Sequence, residues 1–232
     1  MFRRNLRKII PSYAVFPLIL TGIMNLLSYQ AAKLVQLLAN GSAGLDMTSA
    51  ADKLIPFVPA WVWAYVLTYI FWAYQYITVA QESPELCCRL AAADFVAKVV
   101  GFFFFVFLPT TNIRPEIAGG GVNAWLMNLI YTVDTPTNLF PSAHCYIAWI
   151  GTRYMFECRH LRHRIPISIA CVIGSLLVFA STLFTKQHGL YDVIGGVALA
   201  EIGWLVARYT KLPRLIEKAN TAFQNTRLSK IL

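Results

Sequence analysis

Six stretches of the chain are apolar and close to the length that crosses a bilayer, with little polar sequence between them. They cover approximately residues 12-38, 55-80, 91-110, 143-158, 166-185 and 189-209, where about 20 helical residues span roughly 30 Å of hydrocarbon. In lipid every backbone amide needs an internal partner, so such runs fold as helices. The expected fold is all-α: a polytopic membrane protein with six transmembrane helices in one bundle. Composition agrees, because 57% of the 232 residues are hydrophobic and 13% charged, too little polar surface for a soluble domain of this size. The first run exceeds the roughly 7–15 apolar residues of a removable signal peptide and reads as retained. No polar linker divides the chain, so residues 1-232 read as a single integral-membrane domain.

The formal net charge of +9 would suit nucleic-acid binding in a soluble protein, but its distribution argues for a membrane instead. Arg3, Arg4, Arg7 and Lys8 precede the first span, Arg89 lies between the second and third, and Arg153, Arg159, Arg162 and Arg164 surround the fourth-to-fifth connection. Arg208, Lys211, Arg214, Lys218, Arg227 and Lys230 follow the last span, while the alternate connections hold Lys53, Arg114 and Lys186. Fifteen basic residues against three place both termini in the cytoplasm under the positive-inside rule. His160 and His163, within RHLRHR, read as part of a basic loop touching anionic headgroups. The basic and apolar spacing after residue 211 fits either an amphipathic helix on the inner membrane surface or a frayed tail. Cys87, Cys88, Cys145, Cys158 and Cys171 are odd in number and lack CxxC spacing, so free thiols are expected and no zinc site.

The longest stretch outside the spans, about 110-142, contains Pro109 at its edge, Pro115, Gly119 to Gly121, Pro136 and Pro141, and so cannot be one regular helix. Chemistry-bearing residues gather in two segments, 134-DTPTNLFPSAH-144 and 181-STLFTKQHGLYD-192, both at span ends on the outer side of the expected topology. His188 and Asp192 are four apart, which on one helical face stacks them. A carboxylate on one ring nitrogen fixes the tautomer and frees the other nitrogen as a nucleophile toward phosphorus. The same pair also reads as a bond that stabilises a helix end. Ser142 is positioned as an N-cap with His144 in the first turn, where amides and a hydroxyl bind anions and a histidine can protonate a departing oxygen. An interfacial hydrogen bond is the other reading of His144. Arg114 and Lys186 are the cations available to a phosphate or, alternatively, to lipid headgroups. Asp94 and Lys98, inside the third span, are expected to satisfy each other.

Together the two segments resemble the type 2 phosphatidic acid phosphatase superfamily, whose motifs are K-x6-RP, PSGH and SR-x5-H-x3-D. They stand here as Arg114-Pro115, as Pro141-Ser142-Ala143-His144, and as Ser181-Thr182 followed by His188 and Asp192, covering about residues 91-205. The resemblance implies that His188 forms a phosphohistidine, Asp192 orients it, His144 protonates the leaving group, and Arg114, Ser142 and Ser181 bind phosphate, with no metal or other cofactor. Two family cations are absent, since Phe107 and Thr182 stand in their places; Lys186 is a candidate substitute. Such trimmed patterns are similar to the lipid phosphotransferase branch, which includes sphingomyelin and inositol phosphorylceramide synthases.

The expected function is therefore a metal-independent lipid phosphate or pyrophosphate phosphatase facing the extracytoplasmic side of the membrane. A lipid phosphotransferase that passes a phospho-headgroup to a lipid alcohol is the first alternative, and a non-catalytic transporter or binding protein the second.

Overall fold

The computed structural model describes residues 9–38 and 44–226, so Arg3, Arg4, Arg7, Lys8, Arg227 and Lys230 of the charge count lie outside the described residues. The chain is helical almost throughout. A 3-10 turn at Ser12–Ala14 leads into α1 (Val15–Leu38); α2 (Ala50–Leu54) is one short turn; a second 3-10 turn at Pro59–Trp61 leads into α3 (Val62–Glu82), and α4 spans Pro84–Phe107. Then come α5 (Val122–Val133), α6 (Ala143–Met155), α7 (Arg164–Phe184), α8 (Leu190–Tyr209) and α9 (Leu212–Gln224). The sheet has two strands of two residues each: β1 (Leu45–Asp46) runs parallel to β2 (Thr110–Thr111), joining the loop after α1 to the loop after α4.

Four of these segments, Ser12–Val35, Pro84–Phe107, Arg164–Phe184 and Leu190–Tyr209, are long and apolar enough to cross a membrane. The other two expected spans differ for physical reasons. Helix α3 has 21 residues but carries Thr68, Gln75, Gln81 and Glu82 among four tyrosines. Helix α6 has 13 residues, about 20 Å at 1.5 Å per residue, and ten of them are buried, so its neighbours enclose it and it presents little surface to lipid. The third run starts earlier than its hydropathy indicates, because Ser83 caps α4 by accepting from the Leu86 amide at 3.1 Å and Pro84 occupies the first turn.

Helix α4 is the centre of the bundle, packing most extensively on α8 and α1. Its small residues Ala91, Ala92, Ala93 and Ala97 are fully buried and permit close backbone approach, the usual device where lipid removes the hydrophobic drive between helices. A Cβ on Gly203 of α8 would lie 2.5 Å from the Ala93 carbonyl oxygen. Asp94 and Lys98 pair at 2.5 Å within this core, as expected; Tyr76 donates to Asp94 at 2.7 Å and Lys98 to the Thr21 carbonyl at 2.8 Å. The outer faces are apolar: Ile19, Ile23, Leu26, Ile169, Ile173 and Ile194 are among the exposed side chains, a pattern that marks a lipid-facing surface.

Helix α9 forms over the basic tail and docks on α4 and α1. Ile216 is buried, Phe223 meets Phe16 at 5.4 Å between ring centroids, and Asn220 donates to the Tyr13 carbonyl at 2.7 Å. Ile216, Phe223 and Asn220 thus pack on the bundle, while Leu215 remains exposed. All five cysteines are free and buried.

Candidate active site

The functional segments meet at one end of the bundle, where α1 and α4 finish, α3 and α6 begin, and α7 turns into α8. His188 lies in that turn, just before Gly189, the N-cap of α8. This corrects the expectation of two residues stacked on a helical face. Asp192 is in the first turn of α8 and reaches back: its Oδ2 accepts from the Gly189 amide at 2.8 Å and lies 3.5 Å from Nδ1 of His188. The contact is at ion-pair distance without hydrogen-bond geometry, since Nδ1 is buried and unpartnered. The side chain nevertheless sets Nδ1 near a carboxylate, and His188 lines a cavity.

Ser142 is the N-cap of α6 and accepts from the Cys145 amide at 3.4 Å, and its own amide donates to the Asp192 carbonyl at 2.9 Å. That backbone bond ties the two motifs together. It is possible because Gly196 lets α8 approach: a Cβ there would lie 2.7 Å from the Ser142 carbonyl oxygen. The first turn of α6 brings His144 to 5.5 Å from His188 between ring centroids. His144 is buried with neither ring nitrogen partnered, and Tyr65, Trp72 and Tyr69 surround it at 4.7, 5.4 and 6.2 Å. A buried imidazole without hydrogen bonds is costly, so it reads as a group awaiting a partner.

A cavity of about 370 Å³ opens on His188 and is lined also by Arg114, Lys186, Lys53, Asp52 and Asn112. Arg114 donates to the Asp134 carbonyl and to Oε1 of Gln187, and stacks on Tyr131 at 4.6 Å. Burial lowers its pKa, against the carboxylate of Asp134, which raises it. Lys186, in the left-handed conformation at φ 54°, donates to the carbonyls of Asp52 at 2.9 Å and Ile55 at 2.6 Å. Its ammonium therefore closes the end of α2 as well as facing the cavity; burial pulls its pKa down, opposed by Asp52. Ser181 is not brought to the cavity. It is fully buried in α7 and donates to the Val178 carbonyl at 2.7 Å.

Two acidic groups at the site lie outside the sequence-derived set. Asp52 accepts from Ser49 through both its amide and hydroxyl, at 2.8 and 2.6 Å, and from the Leu190 amide at 2.8 Å. It thereby fastens the segment between α1 and α3 to the start of α8. The signal for it was Ser49 three residues earlier, a capping-box spacing. Asp134 accepts from Tyr29 at 3.0 Å and Tyr65 at 2.9 Å. Burial pushes its carboxyl up, but His144, His188 and the two tyrosine hydroxyls outweigh this and hold it below the usual carboxylate range. It opens the highlighted 134-144 segment, yet only the fold shows its nearness to both histidines.

No protein-family model, curated protein or solved structure matches the chain.

Proposed function

We propose that the chain is a membrane enzyme of phosphoryl transfer, a member of the type 2 phosphatidic acid phosphatase superfamily, that hydrolyses a lipid phosphate or pyrophosphate without a metal. The observation that carries this reading is the alignment of Asp192, His188 and the unpartnered His144 in sequence across one buried site. Nε2 of His188 attacks phosphorus, the P–O bond to the lipid breaks, and a phosphohistidine forms. His144 delivers a proton to the departing oxygen, then accepts one from the water that hydrolyses the intermediate, so histidine and phosphate are released with atoms and charge balanced. Arg114, Lys186 and the amides at the start of α6 offer the positive charge that the transferring oxygens need, with Ser142 holding that start in place.

In this reading the bundle crosses the membrane six times, with α3 and α6 completing the set and both termini in the cytoplasm. The site then faces the extracytoplasmic side. Helix α5 supports that placement, since Val122, Trp125, Leu129 and Val133 are exposed on it at the end where tryptophan favours the headgroup boundary. A groove of about 340 Å³ lined by Leu18, Thr21, Gly22, Ala73, Ile77 and Trp72 gives a lipid tail a route from the bilayer. Trp72 borders both the groove and His144.

One observation favours the transferase alternative. Phe107 and Thr182 stand where the resembled superfamily carries two cations, and fewer cations suit the single negative charge of a phosphodiester better than the near-double charge of a monoester. Purified chain in detergent with EDTA, given a panel of lipid phosphates with and without a lipid alcohol, tests both readings. Phosphate release that is abolished in His188→Ala is the expected result. Headgroup exchange that requires the second lipid selects the transferase, activity that survives His188→Ala refutes the histidine nucleophile, and no turnover of any lipid by the wild type refutes the enzyme reading.

A further inference from the structure

At the opposite end of the bundle, where α3, α6 and α8 finish and α4 and α7 begin, lies a cavity of about 660 Å³, within the roughly 300–1,000 Å³ of small-ligand sites. Its walls carry four arginines, Arg89, Arg159, Arg164 and Arg208, against three glutamates, Glu82, Glu85 and Glu157. Each glutamate is already committed. Glu82 accepts from the amides of Arg159 at 2.7 Å and His160 at 2.9 Å, and meets Nδ1 of His160 at 2.8 Å. Glu85 pairs with Arg89 at 2.8 Å, and Glu157 accepts from the Trp204 indole at 2.7 Å with Arg89 a further 3.9 Å away.

Three guanidinium groups are therefore left around the cavity without a carboxylate. Arg208 stacks on Trp204 at 5.0 Å, which occupies its face and leaves its N–H edge for an anion. Among the described residues, the side chains of Arg159 and Arg164 have no hydrogen-bond or ion-pair partner. The cavity also sits at the bundle end that carries the basic excess, where pockets between membrane helices recognise anionic headgroups.

We propose that this cavity is a second ligand site, which takes the phosphate of an anionic glycerophospholipid from the leaflet opposite the histidine site. Arg164 and Arg159 bind the phosphate oxygens and Arg208 flanks them from its seat on Trp204. The site is separate from the phosphoryl-transfer reading and stands whether or not that reading holds.

Native mass spectrometry of the full chain in detergent, titrated with phosphatidylglycerol, phosphatidylcholine or inorganic phosphate, tests it. Phosphatidylglycerol binds more tightly than phosphatidylcholine, and Arg164→Gln weakens that binding about fivefold. Arg159→Gln does the same, and being exposed and unpaired it serves even where Arg164→Gln folds poorly. Arg162→Gln removes the same charge from the same loop outside the cavity and leaves binding unchanged, as does His188→Ala. Equal affinity for the two lipids overturns the proposal, and so does an Arg162→Gln loss as large as that of Arg164→Gln, which would mean diffuse surface charge. Loss in His188→Ala alone would place the lipid at the histidine site, and inorganic phosphate binding as tightly as lipid would overturn the headgroup assignment.

Discussion

Replacing Asp52 by alanine isolates the part that holds the histidine turn in place. The carboxylate is nearly enclosed, at 6% exposure, and accepts from the Leu190 amide at 2.8 Å with one oxygen while Ser49 occupies the other. A hydrogen bond to a charged group contributes about 1.5–3 kcal/mol, so losing the Leu190 contact raises local opening of the α8 start roughly ten- to hundredfold. The segment stays partly attached, because Lys186 still donates to the backbone carbonyls of Asp52 and Ile55, which the substitution keeps. Hydrogen exchange on the full chain in detergent reads this directly, with faster exchange at Leu190 and across residues 49–52 and no change within α4. Asp46→Ala is the matched control. Asp46 lies on the same segment and accepts from the Thr48 amide at 2.9 Å, but it does not line the cavity, so Leu190 exchange stays at the wild-type rate. Unaltered Leu190 exchange in Asp52→Ala would refute the claim that this carboxylate couples the two segments.

Gly196→Ala places a methyl group 2.7 Å from the Ser142 carbonyl oxygen and 2.9 Å from Cys145 Cβ, an overpacking that costs about 1–3 kcal/mol; thermal unfolding in detergent registers it, and turnover falls about a hundredfold if α8 shifts by roughly 1 Å from α6. A variant with wild-type melting and turnover would show that this close approach is unimportant. For Asp134→Asn the sign follows from a folded carboxyl held below its ordinary value: its stabilisation is present above the unfolded pKa of about 3.9 and is lost as pH falls through the lower folded value. The melting deficit of Asp134→Asn is therefore largest near neutral pH and closes in acid, and a deficit that persists there contradicts the assignment. Arg114→Lys replaces a fork that bonds the Asp134 carbonyl and Gln187 together with a single ammonium, so activity drops at least about tenfold, a loss that initial-rate measurements on the lipid panel would detect; full activity would mean that the fork is dispensable.

The hydropathy pattern located the helices because lipid-facing and core positions are both apolar, so the signal survives whichever side a residue takes. It misplaced ends where caps decide them. Ser83 and Pro84 start α4 well before its most apolar part, and α6 stops at Met155. The 110-142 loop was legible as irregular from its glycines and prolines, whereas α5 within it depends on packing of Ala124 and Met127 against the bundle end. For the site, spacing brought His188 and Asp192 together correctly but for a different reason, a capping reach across Gly189 in place of a shared helical face. The nearness of His144, Asp134 and Asp52 depends on helix packing and on the Ser142–Asp192 backbone bond, which no local pattern encodes. Ser181 shows the converse: a motif position can match while its hydroxyl is spent on its own helix.

The two cations nearest the histidine turn also show that holding a site and binding its ligand are not alternatives. Arg114 ties the turn to Asp134 and Gln187, and Lys186 ties it to α2, yet neither exhausts its protons. A guanidinium carries five N–H donors and an ammonium three, and the Nε of Arg114 is buried without a partner. Lys53, on the same cavity wall, adds a charge that no hydrogen bond among the described residues uses. A phosphate entering here meets donors already fixed in position by bonds to the backbone, so little reorganisation accompanies binding, which is the condition under which fixed dipoles and charges lower a barrier most. In the proposed phosphoryl-transfer reading, the pre-positioning of Arg114 and Lys186 offsets the lack of cations at Phe107 and Thr182, where the resembled superfamily carries them. The placement of that positive charge rests on Asp134, Gln187 and Asp52, which bond the two cations.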